Sequence, residues 1–262
     1  MKTERKILVM GRHGVKQRGK GRDNLLTPTS IARLYAAGAS LRDIVAAYNI
    51  SPEGTFLRHS KEARTLRTGK ALLTGAFNRQ VPQTNKQLDE LDLDGTDVRF
   101  DPRLCYGIIG EDFKFDLPAY LRDGEHTYMV NWVANPDARQ YPNGSDAEIT
   151  SFNDVVRTSR ACLVDNLGYI LDSGNAKKLG VLATHGGIVE GLAVAAINSA
   201  RDQAPVERLD EIGGEFQPED SARLVIDYKP RSGSATAELI RGDQSYAVNI
   251  NLLGGVRTCT QT

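Results

Sequence analysis

Cysteine is scarce in this chain. Cys105, Cys162 and Cys259 are the three present, and no CxxC pair or Cys/His cluster joins them. That argues against a zinc module or a disulfide framework and favours a reducing, cytoplasmic setting. Net charge is absent as well: 33 Lys plus Arg balance 33 Asp plus Glu. No global field therefore draws the protein to nucleic acid or to an anionic membrane, and any preference for anions must come from local clustering. Long apolar runs are also missing. Ile7-Leu8-Val9-Met10 stops at Gly11, too short for the apolar segment of a signal peptide. The most apolar long window, 179–198, contains His185 and Glu190, and reads as a buried strand followed by a helix rather than a membrane span.

What is present fits an ordinary folded protein. Of the 262 residues, 40% are apolar and 25% charged, enough for a sizeable core. Residues 5–11 read as a short buried strand and 24–49 as a helix, with Thr27 or Thr29 as its cap and Pro28 near its first turn. Residues 55–60 read as a second strand and 61–77 as a second helix. "LGVLATHGG" (179–187) repeats the pattern of strand, histidine and glycine, and a helix follows. Near the end, 222–230 and 235–243 read as strands joined by the turn-rich "RSGS", with "YAVNINL" after them. Alternating strands and helices predict an α/β fold: a three-layer sandwich with a mostly parallel central sheet and helices on both faces. The region 92–150 is rich in Asp, Gly, Pro and aromatics and lacks periodicity. It reads as loops and short helices inserted into a single domain spanning 1–262.

In open α/β sheets ligands bind at the carboxyl ends of the strands. Three predicted strand ends carry unusual residues: Arg12-His13-Gly14, then Arg58-His59-Ser60 with Arg64 close behind, then Thr184-His185-Gly186-Gly187. Convergence of these corners would suit a phosphoryl group. Guanidinium forks match phosphate oxygens in pairs. A neutral imidazole can attack phosphorus and become a phosphohistidine. A second histidine can offset the charge that builds on the transferring group, and a carboxylic acid can protonate the leaving oxygen.

"RHG" after the first strand, "SKEARTLRT" (60–68) and "ATHGG" (183–187) resemble, in order, the three signatures of the histidine phosphatase superfamily, the phosphoglycerate mutase-like family. "DNLLT" (23–27), "QLDELDLDG" (87–95) and "YPNGSDAE" (141–148) resemble lesser segments of the same pattern. The resemblance implies that His13 is the nucleophile, that Arg12 and Arg64 clamp the phosphoryl oxygens, and that His185 stabilises the group in transfer. It implies that Glu90 is the general acid, with Asp89, Asp92 and Asp94 crowding the same loop. His59 and Gly186 stand beside these corners as substrate-binding candidates. Lys16 and Arg18 open the basic run Lys16, Arg18, Lys20 and Arg22, which reads either as a solvated loop or as a flap that collects a second anionic group. Glu190, Cys105 and Cys162 carry no functional reading.

The implied activity is a metal-independent phosphatase that hydrolyses phosphomonoesters and needs no cofactor. The alternatives are a mutase-type phosphotransferase and a catalytically weak phosphate-binding regulatory module. The segment after RHG lacks the Trp-Asn-rich stretch typical of phosphoglycerate mutases, which favours hydrolysis. The expected ligand is a phosphorylated small molecule, polyanionic if the basic loop takes part. Neither membrane nor nucleic acid is expected as a partner, and the sequence allows a homodimer.

Overall fold

The structure, a computed structural model, describes residues 3–17, 24–105, 133, 136–137, 151–172, 176–201 and 205–253. Four strands run parallel: β1 (Glu4–Arg12), β2 (Thr55–His59), β3 (Asp97–Phe100) and β4 (Leu179–Thr184). Three more, β5 (Ser221–Lys229), β6 (Ser234–Arg241) and β7 (Gln244–Val248), join them antiparallel. The sheet order is β3-β2-β4-β1-β5-β6-β7. The sheet is mixed, with its parallel strands grouped at one side.

Alternate residues of the strands face two separate cores. Ile7, Val9, Leu57, Leu179, Val181 and Ala183 pack under α1 (Pro28–Ala39), α2 (Arg42–Ala47), α3 (Ala63–Ala76) and α4 (Asn85–Glu90). Leu8, Met10, Phe56, Leu182, Leu224 and Ile226 pack under α5 (Phe152–Leu171), α6 (Ile188–Asn198) and α7 (Ile250–Leu253). This is the expected three-layer arrangement, with apolar surface removed from water on both faces of the sheet.

Three local expectations need correction. The helix expected over 24–49 is two helices. Thr27 caps α1 through its side chain, accepting the Ser30 amide at 3.1 Å, but α1 ends at Ser40, whose hydroxyl donates to the Ala37 carbonyl. A hydroxyl that serves its own backbone competes with continuation of the helix. The region read as an insert begins with β3, which extends the sheet beside β2. Its outward residues Val98 and Phe100 are exposed, so the strand shows no buried alternation from which to recognise it. Most of 106–150 lies outside the described residues. Finally, "YAVNINL" is not one strand: β7 stops at Val248 and α7 follows.

Two glycines fix how α1 meets α3. A methyl group at Gly38 would lie 1.9 Å from the Leu72 carbonyl oxygen, and one at Gly75 would lie 2.1 Å from the Tyr35 carbonyl oxygen. The helices therefore touch backbone to backbone. Among the described residues no helix is long and apolar enough to cross a membrane.

Candidate active site

Strand register builds the site. β1 pairs with β4 so that Arg12 stands opposite Thr184, and the His13 amide donates to the Thr184 carbonyl at 2.8 Å. His13 and His185 thus leave adjacent strands side by side, with ring centroids 5.0 Å apart and planes at 70°. β2 pairs with β4 so that His59 stands opposite Ala183. This brings Ser60 to His185, where its hydroxyl shares a 2.8 Å hydrogen bond with Nε2. Ser60 Oγ also lies 3.0 Å from Thr65 Oγ1 in the first turn of α3. The three corners singled out in the sequence do converge.

Each ring is held in a defined state. His13 Nδ1 lies 2.8 Å from the Gly14 carbonyl. A carbonyl can only accept, so Nδ1 carries the proton and Nε2 keeps its lone pair. Burial pushes His13 down to about 4, the bond to Gly14 opposes this, and the charges of Arg64, Arg12 and Lys16 add to the depression. His185 is pushed down to about 2, by burial first and then by His13, Arg64 and Arg12. Both imidazoles are neutral at pH 7, in a pocket whose charges are cationic.

Arg12 is the most constrained of those cations. Its backbone amide donates to the Asp220 carbonyl at 2.9 Å. Its Nη1 donates to the Phe216 carbonyl and to Glu215 Oε1, the latter at 3.2 Å. Its Nε is buried and makes no hydrogen bond among the described residues. A buried charged donor left in that state is costly unless a ligand meets it. A methyl group at Gly186 would lie 2.8 Å from Arg12 Cζ, so the glycine leaves room for the guanidinium. Arg64 sits in the first turn of α3, and its charge reaches both histidines. Thr68, one turn further along, accepts the Gly14 amide at 3.2 Å.

The remaining candidates divide. Lys16 is exposed, pairs with Leu26 in an isolated bridge, and lies close enough for its charge to act on His13. Arg18, with Lys20 and Arg22, lies outside the described residues. His59 donates from Nδ1 to the Ser60 carbonyl at 2.7 Å and lies near the Phe100 ring, one residue along from the contact with His185. Arg58 is structural: it pairs with Asp97 and packs between the rings of Phe56 and Tyr169.

The structure does not bring Glu90 to the histidines. The "DELDLDG" run forms the end of α4 and the turn after it. Leu88 points inward, and Glu90 points outward, with a side chain 64% exposed and paired with Lys86 at 3.7 Å. Asp89 is taken by Arg67 in a two-pronged ion pair. Asp94 pairs with Arg79, while Asp92 accepts the Asp94 amide. None of the four acids contacts His13 or His185.

Sequence reading missed Ser60 as the support of His185, and missed the segment 213–220 that carries Glu215 and Phe216 to Arg12. Ser60 did have a signal, since it opens the "SKEART" segment. The 213–220 segment had none, because it lies some 200 residues from Arg12 in the chain. Among the described residues no group of three His, Cys, Asp or Glu side chains is placed to hold a metal ion.

At the parallel strand ends the sheet thus brings two histidines, held neutral by burial, beside Arg12, with Arg64 close by in the first turn of α3. Comparison with solved structures supports the fold. Two mycobacterial hydrolases align with TM-scores of 0.54 and 0.52: the first at 21% identity over 92% of this chain and 99% of its own, the second at 20% over 95% of each. The native structure of a mycobacterial glucosyl-3-phosphoglycerate phosphatase aligns at 20% identity over 90% of this chain and 97% of its own, with a TM-score of 0.52. No family model and no curated protein matches the chain.

Proposed function

We propose that this protein is a phosphatase that hydrolyses phosphomonoesters of small molecules through a phosphohistidine on His13. The observation that carries the reading is the pairing of neutral His13 and His185, 5.0 Å apart, beside the buried Nε of Arg12. A mycobacterial phosphatase that shares the fold supports it.

In this mechanism the phosphoryl group lies between the histidines, with Arg12 and Arg64 on its oxygens. The lone pair on His13 Nε2 attacks phosphorus, the P–O bond to the alcohol breaks, and the departing oxygen takes its proton from solvent water. Because Nδ1–H is already bound to Gly14, the cation that develops on the ring has a carbonyl to share it. The charge of the phosphoryl group offsets the burial that keeps His185 neutral, so His185 gains a proton on binding and donates to a phosphoryl oxygen. Water then attacks the phosphohistidine, releasing inorganic phosphate and restoring His13. The cationic set supplies the charge that phosphoryl transfer requires.

The test is a rapid acid-free quench after mixing with a phosphomonoester labelled with ³²P. The label is expected on the peptide that contains His13, to be lost in acid, and to turn over into phosphate. Label on another residue, or phosphate release with no labelled intermediate, would overturn the reading.

A further inference from the structure

One buried carboxylate takes no part in that mechanism. Glu190 lies in the first turn of α6, with no exposed surface. Burial raises its pKa, while the nearby Arg12 and its backbone partners pull the other way. Its Oε2 accepts the Gly187 amide at 2.5 Å, a local bond that caps its own helix. Its Oε1 does something else: it accepts the Phe216 amide at 2.8 Å, 26 residues further along the chain. Helix capping does not require that second bond.

Its placement is informative. Gly187 ends the turn that carries His185, and Phe216 is the residue whose carbonyl receives Arg12 Nη1. Between them, Gly186 packs directly against the Arg12 guanidinium. The Phe216 ring is fully buried and stacked on Arg241, 3.8 Å from cation to ring centre. Arg241 in turn donates to the carbonyls of Ile212, Gly214 and Glu215. The segment around Phe216 is thus held from below by Arg241 and from the side by Glu190.

We propose that Glu190 is a positioning residue that locks the His185 turn to the segment holding Arg12, so that the stabilising histidine and the clamping arginine keep one spacing. The inference rests on the phosphoryl site described above. Because Glu190 acts through Arg12, its loss should affect anion binding and the electrostatics around His13 rather than helix α6 alone.

Two variants separate the two bonds. Glu190→Asp can still cap Gly187 but is too short to reach Phe216. Glu190→Gln keeps the shape but replaces one acceptor with a donor. Inorganic phosphate binding to each is measured by calorimetry, and the His13 pKa of the free protein by NMR. Both variants are expected to bind phosphate about tenfold or more weaker, the loss typical of a misplaced charged hydrogen bond. The His13 pKa should rise, since Arg12 helps to depress it.

A double-mutant cycle completes the test. Arg12→Lys combined with Glu190→Asp should bind phosphate no worse than Arg12→Lys alone, because both changes remove the same clamp. Additive losses, or an Asp variant with wild-type phosphate affinity and an unmoved His13 pKa, would overturn the proposal and leave Glu190 as a helix cap. Failure of the wild-type protein to bind phosphate at all would instead overturn the phosphatase reading, so the two failures are distinguishable. If the Gln variant does not fold, the Asp variant still decides.

Discussion

The parallel and antiparallel halves of the sheet are built differently and do different work. β4 is buried at every residue and β1 over its central six, so both are covered on both faces. β5 and β6 alternate, with one face under α6 and α7 and the other nearer solvent. Parallel strands end together at one edge, which brings His13, Ser60 and His185 into contact. Antiparallel strands end at opposite edges and gather nothing comparable. Their contribution comes from the connection before β5, which reaches across to hold Arg12. The difference teaches that the reacting groups and the groups that aim them belong to separate parts of the chain.

Substitutions can break that division. His13→Ala should lower phosphate release from p-nitrophenyl phosphate by more than about 1,000-fold while the thermal midpoint stays near wild type. Arg64→Ala should lower kcat/KM by about 100-fold, the usual scale for removing a preorganised donor. In the antiparallel half, Leu224→Ala removes a fully buried side chain. It should destabilise by about 2–5 kcal/mol in denaturant titration and leave kcat per folded molecule unchanged.

Acid should act on the parallel half. His13 and His185 titrate near 4 and 2 when folded, against about 6.5 in an unfolded chain. The unfolded state therefore binds more protons as pH falls below about 6.5, and stability declines from there to about 4 for His13 and on to about 2 for His185. A drop of about 5 °C in Tm from pH 7 to pH 5 is expected, and a smaller one in His185→Gln. The mildest effect is expected from Glu90→Gln: kcat/KM within about twofold of wild type, even with a poor leaving group such as phenolate. A large loss confined to poor leaving groups would return Glu90 to the chemistry.

Much of this was readable in the sequence because strand ends are local events. An apolar run that stops at Arg12-His13-Gly14 announces both a strand and its exit, and Ala183-Thr184-His185 does the same. Residues that act through distant pairing were not readable. Glu190 looks like any first-turn glutamate until Phe216 is placed against it. Glu90 stands away from the histidines for a related reason: a leucine followed two residues later by glutamate satisfies a pattern, but in a capped helix that spacing turns the two side chains to different faces, and only Leu88 faces the core.

The glycine contact between α1 and α3 has a consequence for how the molecule can change over time. Where two backbones touch, there is no layer of side chains to repack, so positions 38 and 75 have no neutral substitutions open to them. The helix that carries Arg64 is therefore pinned against the helix that follows the His13 loop, and the distance between nucleophile and clamp is insulated from mutational drift elsewhere in that core.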